Sequence, residues 1–133
     1  MHASGISGEE IINIEGTSET PEVILNAIEG TVRFSGRSLP ENPKIFYSPF
    51  KEWLTEYAKN PAPVTHVVFV FDYFNTASSK LIMEIIDIIK TVEENNSKLI
   101  IEWHYQEDDE DMLEAGEDFE AVTGVNFNYI SYP

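Results

Sequence analysis

The sequence of 133 residues contains no cysteine, and this absence excludes several kinds of site. Without thiolates there is no disulfide framework, no cysteine-ligated zinc and no cysteine nucleophile. Charged residues also interrupt every apolar stretch well before the ~18 residues that a membrane span requires. The N-terminus, residues 1–5, lacks the basic segment and apolar run of a signal peptide. We therefore expect a cytoplasmic protein that does not insert directly into a membrane.

Basic residues are scarce as well. The chain carries 8 Lys plus Arg against 24 Asp plus Glu, which gives a formal net charge of −16 at pH 7. A field of this sign repels nucleic-acid backbones and anionic lipid surfaces. We therefore expect no nucleic-acid partner, and a protein partner with a basic face fits better. Acidity also keeps a protein soluble, so the net charge alone does not establish such a partner.

Familiar catalytic and nucleotide-binding motifs are missing. The sequence has no Gly-x-Ser-x-Gly elbow, no Gly-x-Gly-x-x-Gly and no P-loop. His2, His66 and His104 show no metal-ligand spacing, although His66 and His104 lie in predicted neighbouring elements and are placed to meet. The residues make no positive case for an enzyme, and we expect no bound cofactor or metal.

The sequence does contain alternating strand and helix patterns. Period-2 or continuous apolar runs predict strands over 10–15, 22–26, 31–35, 64–72, 98–105 and 125–130. The run 64–72 is nearly continuous, which predicts burial on both faces. A first helix is predicted to begin with Ser48 as its cap and Pro49 at its first position. Two further helices are predicted over 78–95 and over 109–122, and Gly124 ends the second of these. A loop is predicted over 36–43. This order predicts an α/β fold with one mixed sheet and helices packed on it, formed by a single domain over 9–133 after a flexible segment 1–8.

An acidic segment follows the fifth predicted strand. Ten carboxylates fall within 102–120, and no basic residue follows Lys98. The aspartates of 108–111 do not match a calcium loop, because its glycine and its terminal glutamate are missing. Three interpretations stay open for this segment: a solvated acidic face, a docking surface for a basic partner, or the metal site of a metal-dependent enzyme.

The turn into the long helix is the strongest candidate site. Asn75, Thr76, Ser78 and Ser79 are small polar residues at a predicted helix N-terminus, where unpaired N–H groups and a partial positive charge occur. One such residue is enough for a cap. The same geometry suits a phosphate, either bound or covalently attached. Arg37, in the predicted loop 36–43, is placed to pair with such a phosphate if that loop folds beside Thr76.

Several segments together resemble one family. Residues 73–80 (YFNTASSK), 36–42 (GRSLPEN), 103–105 (WHY) and the acidic segment 108–119 resemble the SiaC family of bacterial regulatory phosphoproteins, and the resemblance covers the chain from about residue 9 onward. The resemblance implies a fold similar to the STAS domain of anti-sigma factor antagonists and a protein that is not an enzyme.

The resemblance also implies partners and site residues. In the family a kinase phosphorylates the threonine of an Asn-Thr motif and a PP2C-type phosphatase reverses this step. The unphosphorylated form binds and activates a diguanylate cyclase, which controls biofilm formation and aggregation. Carried over to this chain, the phosphoacceptor is Thr76. The residues expected to line the partner interface are Arg37, Tyr73, Phe74, Asn75, Ser78, Ser79 and Lys80.

Three other functions stay open beside this expectation. The chain could be an anti-sigma factor antagonist in a partner-switching transcription pathway, which the identity of a co-purifying partner would reveal. It could be a metal-dependent enzyme that uses the acidic segment, or a sensor of a small ligand, since STAS-like folds bind nucleotides or lipids elsewhere.

Overall fold

The computed structural model describes residues 11–133, in which the alternating patterns form six strands and three α-helices. Residues 1–10, which include His2 and the predicted flexible segment 1–8, lie outside the described residues. The elements are β1 Ile11–Ile14, β2 Glu22–Asn26, β3 Thr31–Ser38, α1 Pro43–Lys59, β4 Val64–Phe74, α2 Thr76–Lys90, a 3-10 helix Thr91–Asn95, β5 Lys98–Gln106, α3 Glu110–Thr123 and β6 Asn128–Tyr132.

The six strands form one mixed sheet in the order of the sequence, β1-β2-β3-β4-β5-β6. The pairs β1–β2 and β2–β3 are antiparallel, and the pairs from β3 to β6 are parallel. A turn at Gly30, which has a φ of 73° and donates its N–H to Asn26 O at 2.9 Å, connects β2 to β3. The predicted α/β class and the mixed sheet are thus confirmed.

All three helices pack on the same face of the sheet. Each connection between two parallel strands leads to the next strand in the same direction across the sheet. Because such connections share one handedness, their helices lie on the same side of the sheet. The side chains of Thr65, Val67, Phe69 and Phe71 in β4 are buried under the helices, whereas the alternate residues are half-buried or exposed. The prediction that β4 is buried on both faces is therefore wrong.

The first helix begins earlier than its sequence pattern indicated. Asn42 caps α1, because its side chain accepts the Ile45 N–H at 3.2 Å, and Pro43 stands in the first turn. Ser48 lies within the helix and Pro49 is an interior proline, so the predicted start at Ser48 is wrong. Asn-Pro supplies both a cap and a preset φ, and it therefore starts the helix before Ser-Pro is reached.

The bounds of β3 and β6 also differ from the predictions. Strand β3 continues to Ser38 through the predicted loop, because Gly36 adopts a φ of 102° at a bulge between Gly36 and Arg37 that keeps the strand paired with β4. Strand β6 begins at Asn128 and not at Val125, since its pairing with β5 starts at Glu102.

The core contains an aromatic cluster around Trp103, which is fully buried in β5. The indole ring stacks on Phe127 at a centroid distance of 5.7 Å and meets Phe119 edge-on at 5.6 Å. Its Nε1–H donates to Met112 O at 2.9 Å, which fixes the acidic helix α3 to the sheet. Trp103 thus supports the sheet edge at which α3 begins.

Within residues 11–133, no helix combines the length and the hydropathy needed to cross a membrane.

Candidate functional site

The ends of the parallel strands gather the candidate residues at one edge of the sheet. Strands β3 and β4 end side by side, with Arg37 opposite Tyr73 and Ser38 opposite Phe74. The Asn75 N–H donates to Ser38 O at 3.1 Å, so the chain stays attached to β3 as it leaves the sheet. The end of β3 and the start of α2 are therefore neighbours, as the sequence-based proposal for Arg37 requires.

Asn75 carries out the capping of α2. Its backbone is extended, with φ −87° and ψ 174°, and its side chain accepts the Ser78 N–H at 2.9 Å. Its backbone carbonyl also accepts the Ser79 N–H at 3.0 Å. Because Asn75 fills the capping role, the hydroxyl of Thr76, the first residue of α2, is not needed as a cap.

The three hydroxyls of the turn lie in different environments. Thr76 is exposed, Ser79 is half-buried and Ser78 is fully buried. The Ser78 hydroxyl lies 2.9 Å from that of Ser38, which in turn lies 2.6 Å from Tyr47 Oη. The structure thus removes Ser78 from the expected partner surface, because its side chain joins the first turn of α2 to β3 and α1.

Burial raises the pKa of Tyr47 to about 12, against a smaller lowering by its hydrogen bond with Ser38. The Tyr47 hydroxyl is therefore neutral at physiological pH. The Ser38–Tyr47–Ser78 network consists of uncharged groups that satisfy one another, and such a network fixes a single arrangement of the surrounding elements. It holds the base of the turn rigid while Thr76 faces solvent.

An exposed aromatic and basic pair flanks the turn. The guanidinium carbon of Arg37 lies 5.3 Å from the centroid of the Tyr73 ring, and Arg37 Nε donates to Ser18 O at 3.1 Å. Tyr73 is 44% exposed, so its ring is accessible to a partner. Arg37 and Tyr73 are thus both exposed at the end of the strand pair that leads into the turn before Thr76.

The side chains of Phe74 and Lys80 differ in their exposure to solvent. The Phe74 ring packs against Phe71, Trp103 and Phe119 at centroid distances of 5.5, 6.4 and 5.9 Å. It remains only half-buried and mainly anchors the end of β4 to the core. Lys80 is exposed one turn after Thr76 on α2.

The acidic segment is partly structural. Asp109 caps α3 by accepting the Met112 N–H at 3.0 Å, and the Glu120 carboxylate accepts from Phe127 N–H and Tyr129 O–H, both at 2.8 Å. Among residues 11–133, no three His, Cys, Asp or Glu side chains are grouped so that they could hold a metal ion. Most of the other carboxylates of α3 point to solvent.

The two histidines of the sheet meet through a carboxylate on the face without helices. Nε2 of His66 lies 2.6 Å from Oε2 of Glu102, and Nε2 of His104 lies 2.8 Å from Oε1. The hydrogen bond with His104, followed by that with His66, lowers the pKa of Glu102 below its ordinary value. The sequence placed His66 and His104 in neighbouring elements but did not indicate Glu102 as the group between them, because that depends on the register between β4 and β5.

The lowered pKa of Glu102 predicts a pH-dependent contribution to stability. A depressed carboxyl pKa stabilises the fold at pH values above the ordinary glutamate pKa, and this stabilisation disappears as the pH falls through the folded-state pKa. We expect Glu102→Gln to lower the free energy of unfolding at pH 7 by up to about 1 kcal/mol, since the cluster is partly exposed. The difference from the wild type should shrink at pH 3 in urea denaturation. A constant difference at both pH values would contradict this prediction, and Glu107→Gln, at an exposed position, serves as the control.

The sequence of this chain matches a family profile and a protein of Pseudomonas aeruginosa. The profile of the family described as SiaC family regulatory phosphoprotein matches residues 14–132. An uncharacterized protein of Pseudomonas aeruginosa strain UCBPP-PA14 is 25% identical over 108 residues, which cover 81% of this chain and 86% of that protein.

Solved structures share the fold. The structure of SiaC of Pseudomonas aeruginosa has a TM-score of 0.78 at 22% identity, and the match covers 93% of this chain and 98% of that one. In the crystal structure of the diguanylate cyclase SiaD in complex with its activator SiaC from Pseudomonas aeruginosa, the matching chain has a TM-score of 0.82 at 23% identity, over 91% of this chain and 99% of that one.

Proposed function

The chain belongs to the SiaC family of regulatory phosphoproteins, and from this premise we propose that it is a non-enzymatic cytoplasmic switch that binds a diguanylate cyclase. In this proposal a protein kinase phosphorylates Thr76, a PP2C-type phosphatase removes the phosphate, and only the unphosphorylated chain binds the cyclase. Biofilm formation and aggregation are the processes under its control. The description of SiaC of Pseudomonas aeruginosa as the activator of SiaD supports this class of partner.

The exposure of Thr76 is the observation that carries the proposal. Of the three hydroxyl-bearing residues at the start of α2, Thr76 is the exposed one, whereas Ser79 is half-buried and Ser78 is buried against Ser38. A kinase needs a hydroxyl that it can reach. The exposure of Arg37 and Tyr73, which contact each other close to the start of α2, supports a partner surface beside Thr76.

The charge of the phosphate supplies the switching mechanism. A phosphate adds about −1.5 to −2 charges at pH 7, and a helix N-terminus tolerates this charge because of its partial positive charge. The fold of the chain should therefore survive phosphorylation. A partner that packs over Tyr73 and Thr76 would instead have to desolvate a dianion, which is costly without a compensating cation.

Purification of the tagged chain from its native host tests the proposed function. We expect phosphopeptide mass spectrometry to map a phosphate to Thr76 in part of the population, and a diguanylate cyclase to co-purify with the unphosphorylated part. Phosphate on Ser79 in place of Thr76 would refute the assigned residue. Recovery of a sigma-factor regulator without a cyclase would identify the chain as an anti-sigma factor antagonist instead.

A further inference from the structure

A groove of about 650 Å³ lies between α1 and α2. Leu81 and Ile88 of α2 contribute apolar side chains to it, and charged residues of both helices line its walls. Leu81 is buried beneath the groove and Ile88 is half-buried, so part of this apolar surface is open to solvent. The groove therefore offers a strip of apolar surface between two rows of charges.

The groove is less acidic than the chain as a whole, because three lysines and three glutamates line it. Lys44, Lys51 and Lys80 line it, which makes three of the 8 Lys plus Arg residues in a protein with a net charge of −16. Lys51 pairs with Glu84 at 2.6 Å, whereas Lys44 and Lys80 take part in none of the salt bridges found within residues 11–133. Two exposed lysines in the groove thus remain available for an anionic partner.

The charges are ordered along the groove. Both α1 and α2 follow parallel strands at the same edge of the sheet, so both helices begin at the end where Thr76 lies. Lys44 is the second residue of α1 and Lys80 the fifth of α2, which places both lysines toward this end. Glu52 and Glu56 line the groove farther along α1. The groove is therefore basic near Thr76 and acidic at its far end, and the helix dipoles add to this gradient.

From this gradient we propose that the groove binds an amphipathic helix of the partner protein. Its carboxylates lie over Lys44 and Lys80, its apolar side chains over Leu81 and Ile88, and a basic residue near Glu52. The distance along α1 from Lys44 to Glu52 corresponds to about 12 Å, or roughly two turns of the bound helix. An amphipathic helix that lays its apolar face into a groove is a common mode of recognition between proteins. This inference rests on the proposed function, because the same partner supplies the helix.

The groove also explains how a phosphate on Thr76 acts at a distance from the apolar strip. Thr76 and Lys80 are four residues apart on α2, and side chains at this spacing share one face of a helix. A phosphate on Thr76 forms a charge-assisted hydrogen bond with the Lys80 ammonium. Lys80 is then no longer available to the carboxylates of the partner helix, and an additional negative charge faces them.

The Lys44→Glu variant tests the groove without touching Thr76. The binding partner in the assay is the diguanylate cyclase that co-purifies with the wild-type chain, and its affinity is measured by titration. We expect Lys44→Glu to weaken binding about tenfold, since it places a like charge against the partner's carboxylates. The matched control is Lys98→Glu, an identical charge change at an exposed position in β5, which should bind as the wild type does.

The outcomes separate this inference from the proposed function. If Lys44→Glu binds the cyclase as tightly as the wild type, the groove is not the docking site, and the cyclase remains the partner. If Lys44→Glu and Lys98→Glu weaken binding equally, the effect is one of net charge and the groove assignment is also refuted. If no cyclase co-purifies with the wild-type chain, the proposed function fails and the groove proposal fails with it.

Discussion

A Thr76→Asp substitution is expected to weaken binding of the diguanylate cyclase about a hundredfold or more while the chain remains folded. Thr76 is exposed at the first position of α2, where a carboxylate interacts favourably with the helix dipole. The fold therefore has no reason to lose stability. On binding, the partner has to desolvate this carboxylate, and pairing with the carboxylate takes Lys80 away from the partner's own acidic groups, so both effects weaken binding. Titration of the purified cyclase with each variant measures the effect.

Thr76→Ala is the matched control for this prediction. It removes the hydroxyl without adding a charge, so we expect binding within a few-fold of the wild type and no phosphorylation at this position. Thermal unfolding should give similar midpoints for all three proteins, because the Asn75 cap and the Ser78–Ser38 hydrogen bond do not involve Thr76. Normal binding by Thr76→Asp would show that the phosphate acts by some means other than blocking this surface.

The second large effect is expected from Gly116→Ala in α3. A Cβ atom on Gly116 would lie 2.6 Å from both Cδ1 and Nε1 of Trp103, closer than real contacts allow. The indole is fully buried and bound to Met112 O, so it has no room to move aside. Overpacking of this kind costs about 1–3 kcal/mol. We expect Gly116→Ala to lower the free energy of unfolding by that amount in urea denaturation.

The expected effect of Gly116→Ala on the free energy of unfolding is opposite in sign to that of Gly→Ala at an exposed helix position. In an exposed helix interior, Gly→Ala stabilises by about 1 kcal/mol. Glu117→Ala, at the next and exposed position of α3, is the control and should change stability little. A stabilised Gly116→Ala variant would mean that α3 can move away from Trp103, and its packing against the sheet would then be looser than the contacts indicate.

Local patterns determined the order of the elements. The alternation of Val32 and Phe34 with Thr31, Arg33 and Ser35 predicted one buried and one open face, and β3 has this arrangement. The helical pattern that begins at 78 and the Gly124 end of α3 were also predicted correctly, because both depend on residues a few positions apart. Where two local signals competed, as at Asn42 and Ser48, the sequence alone selected the wrong helix start.

The sequence indicated the candidate site, and the tertiary structure separated its buried residues from its exposed ones. Composition placed several hydroxyls at one helix N-terminus, and the family resemblance singled out Thr76. Only the structure shows that Ser78 is buried, because that burial comes from Ser38 and Tyr47. The proximity of Arg37 to Tyr73 likewise depends on the pairing of β3 with β4.

The remaining features depend on contacts between distant segments. The sequence by itself determined the types of element, their order and the position of the turn into α2, since these follow from spacing along the chain. Only the tertiary structure decided that the helices cover one face, that Glu102 joins two histidines, and that lysines of α1 and α2 line one groove. Those features arise from strand register and helix packing, which bring together residues whose separation in sequence carries no information about their distance in space.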